Sequence, residues 1–430
     1  MPIDDDVISP HHRYVQGVDV MIRSTVIYVG GFILPDGNAA AHRVIANGRL
    51  LRELGYDVIY LGSDKSIPSG TPLLSTRLDA SGFEAWRTPY PGSSIEWLRY
   101  LTSISDIKKL IAYKSIDTIH SIIAYNYPAA ALWKLRTLCM KSGISLIADS
   151  TEWYSADNGN LFYKILKSLD TYIRMCVIQQ RTDGIICISR YLRDFYAGRG
   201  AGTLLLPPLV DLQDSKWMYD SNNGMDSIVK LVYAGSPGAP GTTAKDRLDW
   251  VLDALDVLRT RDCKFQISII GIGKDEYLKA NPLHSELVER MSDHAEFLGR
   301  IPHLQAIKRV QSSDFMIFLR DDTRITRAGF PTKLVESISC GTPVLANATS
   351  CITDYLSDGV NGFLIDVGSR DSLIVSLQSV LEINREQIDK MKRTCLESAM
   401  FDYRNYKQVF GSFMNEVVQT TMRRSNHGAK

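Results

Sequence analysis

Gly329-Phe-Pro-Thr-Lys-Leu-Val-Glu-Ser-Ile-Ser-Cys-Gly-Thr-Pro-Val-Leu-Ala-Asn347 reads in order as a tight turn, a short helix, a helix stop and a buried strand. Gly329 and Pro331 make the turn, and Thr332 has the side chain of an N-cap. Gly341 suits the left-handed position after the last helical turn, and Pro343 blocks continuation into the apolar run Val344–Ala346. A helix that starts directly after a glycine turn presents unpaired N–H groups and a positive dipole end, which together attract an anion. Lys333 and Glu336 flank that end with a cation and a carboxylate. A diphosphate beside a ribose would use all three elements; an ordinary capped helix with surface charges reads equally well from this segment alone.

Outward from this motif the chain alternates apolar runs with helical patterns. Upstream lie the strand runs Phe315–Leu319, Phe265–Ile270 (ending in Gly271-Ile-Gly273) and Ile228–Ala234 (followed by the loop Gly235-Ser-Pro-Gly238), with Leu248, Val251, Leu252 and Leu255 on one helix face. The N-terminal half repeats the scheme. Thr25–Val29 is a buried-strand run leading to Gly30-Gly31 and a loop through Gly37-Asn38. A helix follows as far as Gly55, then the strand Val58–Leu61. Later strands are expected at Thr118–Ile123, Ser145–Ala148 and Gly184–Cys187. Phe162, Ile165, Leu166, Leu169, Ile173, Cys176 and Val177 mark one face of a long helix, with Lys164, Lys167 and Arg174 off that face. Strand, glycine loop, helix, strand is the order of a parallel α/β sheet with its ligand edge at the strands' carboxyl ends.

At 430 residues the chain suits two domains. The expected division is a poorly ordered lead-in at 1–22, a first Rossmann-like domain at 23–208, a linker at 209–226, a second Rossmann-like domain at 227–400, and a C-terminal segment at 401–430 that is helical and packs back on the first domain. Lys+Arg (49) and Asp+Glu (48) balance, so no global field favours nucleic acid. Seven scattered cysteines form no disulfide framework or metal-binding pair. With no apolar run of spanning length and an acidic opening Met-Pro-Ile-Asp-Asp-Asp, they point to a cytoplasmic protein.

With both halves read, the ordered set of segments resembles the family 4 glycosyltransferases of the GT-B fold. The set is Gly30-Gly31 with its helix, Ile186–Leu192, Leu205–Asp211, Tyr233–Pro237 with Lys245-Asp246, Phe297–Pro302 and the 329–347 motif. The resemblance implies two Rossmann-like domains facing across a central cleft. It implies a retaining, metal-independent transfer of a sugar from a UDP- or GDP-sugar to a glycan or polyprenol-linked glycan, in cell-surface polysaccharide or lipopolysaccharide assembly. The nucleotide-sugar is a substrate, and no cofactor is expected. Lys245 matches the family's phosphate-binding lysine, with Lys333 as its helper; a solvated lysine in the Lys-Asp-Arg cluster is the plainer reading. Gly31, Gly235, Gly329, Phe330, Pro331, Thr332 and Glu336 fall at donor-binding positions, Glu336 accepting from the ribose hydroxyls. Where the family carries its first glutamate, this chain has Ala328.

On the acceptor side the candidates are Gly37, Asn38, His120, Asp149 and Glu152. His120 also reads as a buried, hydrogen-bonded histidine, and Asp149, Glu152 and Trp153 as a capped turn with a half-buried tryptophan. No metal site is expected: the one Asp-x-Asp spacing is Asp4 and Asp6 in the lead-in. A lipid-linked acceptor would bring the protein to the inner membrane face, with the helix at 162–177 as a docking surface. Alternatives are a non-catalytic relative acting as a partner subunit, motivated by Ala328, and an NAD-dependent oxidoreductase, against which neither glycine loop follows G-x-G-x-x-G.

Overall fold

The computed structural model describes residues 25–153, 161–218, 228–237 and 245–428. The lead-in, the second half of the expected linker and the loop after Pro237 lie outside the described residues.

The first sheet contains β1 Thr25–Gly30, β2 Asp57–Asp64, β3 Leu78–Ala80, β4 Phe83–Pro89, β5 Ile119–Tyr125, β6 Ser145–Ser150, β7 Gly184–Cys187 and β8 Thr203–Leu205. Its order is β3-β4-β2-β1-β5-β6-β7-β8, parallel except for β3 against β4. The second sheet contains β9 Val229–Ala234, β10 Phe265–Ile270, β11 Ala295–Gly299, β12 Phe315–Phe318, β13 Val344–Ala346 and β14 Gly362–Leu364, in the parallel order β11-β10-β9-β12-β13-β14. The central strands are buried along their whole length, as their continuous Val, Ile and Tyr runs require when helices cover both faces. β1 and β9 sit where the strand order reverses, so the crevices outside their carboxyl ends, at Gly30 and Gly235, are the places such sheets bind ligands. The fold is therefore two Rossmann-like α/β units.

The C-terminal helix Lys407–Gly428 returns to the first unit, where Phe410, Phe413, Met414 and Val417 join its core. Gly184 is a glycine because this helix presses on it: a Cβ there would meet Val417 Cγ2 at 2.6 Å and Phe413 Cζ at 2.7 Å. Where the chain crosses between units it is packed and bridged. Val210 N–H donates to Phe401 O (2.9 Å), Tyr403 N–H donates to Val210 O (3.0 Å), and Trp217 is buried. The segment expected to be a linker is thus structured as far as Met218.

The long helix expected over 162–177 is Leu161–Ile173 followed by a π turn, Arg174–Ile178. Its apolar residues are not all inward: Ile165, Leu166, Leu169 and Tyr172 are exposed, whereas Arg174 is buried and leaves the cationic face. Among the described residues no helix is long and apolar enough to cross a membrane.

Candidate active site

The 329–347 motif folds as read, with one correction. The helix is Thr332–Ser339 and Gly341 takes φ 74°, but the cap position belongs to Pro331, and Thr332 is already helical. No side chain caps this end. Leu334 N–H bonds to Pro331 O (3.0 Å), which leaves the amides of Thr332 and Lys333 at the head of the helix as donors for a ligand. The preceding turn is braced by Ser350, whose hydroxyl donates to Gly329 O (2.6 Å), and Phe330 is buried against Tyr355 and Phe401.

Lys333 is held from the first turn of that helix. Its Nζ donates to Asp246 Oδ2 at 2.6 Å. The same carboxylate accepts from Arg320 Nε (2.8 Å) and from the Tyr233 hydroxyl (2.9 Å). Arg320 is itself fixed by a reciprocal pair with Asn347, the motif's last residue: Arg320 N–H to Asn347 Oδ1 and Asn347 Nδ2 to Arg320 O, both 2.8 Å. Burial alone would raise the Asp246 pKa. The Lys333 and Arg320 cations overturn that and hold it at about 2. The Tyr233 hydroxyl, buried beside Asp246, is pushed well above its ordinary value. Gly235 is required here, because its φ is 136° and a Cβ would lie 2.5 Å from Lys333 Nζ. Gly271 in turn packs on Gly235 O, where a Cβ would come to 2.5 Å.

Lys245 has an exposed side chain; its N–H donates to Pro237 O (2.6 Å), and its neighbour Asp246 is the buried member of the pair. Glu336 is half-buried and lies 3.6 Å from His303 Nε2. His303 stands over His42 of the first unit (ring centroids 5.5 Å), so this carboxylate faces the cleft wall. Burial, then Lys216 and His303, lower the His42 pKa. Ala328 is buried, and its carbonyl accepts from Ser189 Oγ of the first unit (2.7 Å). Arg190 pairs with Asp354 and Arg324 lies over Trp153 at 4.9 Å, further contacts across the cleft.

On the first unit the structure corrects two expectations. Asp149 does not face an acceptor. It is completely buried, paired with Arg43 (Nη2 to Oδ1, 2.8 Å) and bonded by the Tyr28 hydroxyl. His120 is not on the acceptor side but takes its other reading, that of a packed, hydrogen-bonded histidine. The strand begins at Ile119, so His120 lies at its amino end, packed on Tyr56 with Nδ1 2.6 Å from Ser121 Oγ, and burial lowers its pKa. Asn38 caps the helix Ala39–Glu53, accepting from Ala41 N–H (2.9 Å), while Gly37 closes a turn onto Ile33 O (2.8 Å). Gly31 sits at the end of β1, where a Cβ would lie 3.3 Å from the Tyr100 hydroxyl. Glu152 and Trp153 follow the carboxyl end of β6, half-buried.

Sequence reading missed Asp246 as the partner of Lys333, and Arg320 and Tyr233 as the other donors to that carboxylate; the one local signal was the acid directly after Lys245. It also missed a cavity of about 270 Å³ at the carboxyl ends of β1, β2 and β4, lined by Gly30, Glu96, Arg99, Tyr100 and Tyr127. Among the described residues no group of His, Cys, Asp or Glu is placed to hold a metal ion.

Residues 243–395, which contain Asp246, Lys333 and Glu336, match the model of the family described as glycosyl transferases group 1. They form a glycosyltransferase domain. An uncharacterized glycosyltransferase of Methanocaldococcus jannaschii is 22% identical over 285 residues, 66% of this chain and 70% of its own. Sucrose-phosphate synthase of Thermosynechococcus elongatus superposes with a TM-score of 0.66 at 13% identity, covering 92% of this chain and 99% of that one. HepE of Anabaena, solved in complex with UDP and glucose, gives 0.60 at 15% identity, covering 91% and 100%. These likenesses establish the GT-B architecture, and the domain match makes the chain an enzyme of the glycosyltransferase class.

Proposed function

We propose that this glycosyltransferase moves a sugar, with retention and without a metal, from a UDP- or GDP-sugar to a glycan or lipid-linked glycan acceptor in cell-surface polysaccharide or lipopolysaccharide assembly. The observation that carries the donor part is Lys333, half-buried against Gly235 at the uncapped head of its helix. A cation and a helix head with no side-chain cap stand on the same short helix there. Cleaving a sugar–phosphate bond puts growing negative charge on the departing diphosphate, and fixed positive groups stabilise that charge more than the ground state. Glu336 takes the ribose hydroxyls at the cleft wall, and exposed Lys245 reaches the outer phosphate oxygens. UDP is favoured over GDP by the likeness to HepE, which was solved with UDP.

The acceptor lies in the cavity beside Gly30, where Arg99, Glu96 and Tyr100 offer the mixed charged and aromatic lining that suits a carbohydrate. The exposed Ile165, Leu166, Leu169 and Tyr172, with Lys164 and Lys167 on the same helix, support peripheral contact with a membrane bearing a lipid-linked acceptor. Calorimetric titration with UDP, GDP and NAD, followed by hydrolysis and transfer assays on UDP- and GDP-sugars, tests the proposal. Binding of NAD alone, or of no nucleotide, would sink it. Binding without any turnover would favour a non-catalytic partner subunit, the reading prompted by Ala328.

A further inference from the structure

Asp246 is the most heavily engaged acid of the second unit's cleft: 1% exposed, with Lys333, Arg320 and Tyr233 all donating to it. Two cations share this single carboxylate, so the cluster carries one surplus positive charge in a largely buried setting. A lysine ammonium has three donors on a flexible four-carbon stem. One donor is spent on Asp246, which leaves two to point past Gly235, the residue whose missing side chain clears their path. The Tyr233 hydroxyl bonds the same oxygen as Lys333, and its ring lies 5.1 Å from Nζ, so the amine is bounded on two sides. Arg320 holds the other oxygen and is itself locked to Asn347, which fixes the carboxylate's rotation.

We infer that Asp246 is a positioning residue for transfer: it aims the Lys333 ammonium at the diphosphate and keeps it from swinging out to solvent away from Arg320. The inference rests on the donor-site reading above. Two roles make opposite forecasts. If Asp246 were only a counterweight, removing its negative charge would strengthen the binding of an anionic nucleotide. If it aims Lys333, removing it weakens that binding, because two neighbouring cations lose their common anchor and repel.

The test is a cycle of Asp246→Asn and Lys333→Met, read by calorimetry with UDP and GDP and by turnover of whichever nucleotide-sugar the wild type cleaves. D246N is expected to weaken nucleotide binding about 10-fold and to lower kcat about 100-fold, with the acceptor KM unchanged, because the aimed charge matters most in the transition state. In the K333M background D246N should cost less than about 2-fold, since its route of action is gone. Tighter nucleotide binding by D246N, or an equal loss in both backgrounds, would overturn the inference. If K333M itself left nucleotide binding untouched, the donor-site reading would fail first, independently of Asp246. Should D246N not fold, Tyr233→Phe removes one hydroxyl from the same oxygen; it is expected to weaken binding about 3-fold, and unchanged affinity would count against the aiming role.

Discussion

At the scale of single residues, two of the buried carboxylates, Asp149 and Asp246, do different work. Asp149 is consumed by Arg43 and Tyr28 inside the first unit. Removing one partner of such a pair leaves an uncompensated buried charge, so Arg43→Met is expected to destabilise the protein by about 3–5 kcal/mol without a direct effect on nucleotide affinity. Chemical denaturation beside UDP titration checks both halves of that statement. Asp246 has a pH signature. Its folded pKa of about 2 lies below the ordinary 3.8. The unfolded chain therefore binds the proton first as pH drops, and the contribution of this group is complete above pH 3.8 and lost as pH falls through about 2. The shift corresponds to roughly 2 kcal/mol. Comparing the acid limb of stability in wild type and D246N should show that increment missing in the variant.

At the scale of elements, the turn–helix–strand motif was legible because its signals are local. Gly341 sits where a left-handed residue was needed, and the run Val344–Ala346 could only be a buried strand. Gly341→Ala should cost about 2 kcal/mol, since φ is 74° and the new Cβ would stand 2.7 Å from Leu396. A thermal scan that moved by less than a degree would contradict this. Gly235→Ala is different in kind. Its Cβ would strike the far end of Lys333. The expected result is at least a 10-fold loss of nucleotide affinity, out of proportion to the drop in melting temperature. What the sequence hid was pairing over distance. Lys333 and Asp246 are 87 positions apart, and nothing in spacing says which acid meets which base. His120 was misplaced for a related reason: an apolar run tells where a strand lies but not which end borders the cleft. Thr332 looked like a cap because its side chain suits the role, yet the backbone had entered the helix one residue earlier than that reading required.

At the scale of the molecule, contacts between the two units include Ser189 to Ala328, Arg190 to Asp354, Arg324 over Trp153 and His42 over His303, beside an apolar cluster with residues of both. The units are joined by adjacent, bridged crossings at Val210 and Phe401–Tyr403. The two α/β halves were visible as repeated strand and glycine-loop patterns, whereas the face they share was not, since it is built from single residues of distant segments. Deleting residues 407–430 would strip Phe410, Phe413, Met414 and Val417 from the first unit's core. At about 1.5–3 kcal/mol for each buried side chain, that loss rivals the whole stability of an ordinary domain. The truncated protein is expected to lose its cooperative unfolding transition in calorimetry; a sharp transition would show that the helix is dispensable.

The same returning helix sets the timetable of synthesis. The strands from Thr25 to Leu205 keep an open flank beside Gly184 until the later helix has left the ribosome and Val417 and Phe413 settle on it. Of the two units, the one translated earlier is therefore completed later. Meanwhile the nascent chain must shield exposed apolar surface for roughly the whole time needed to make the other half.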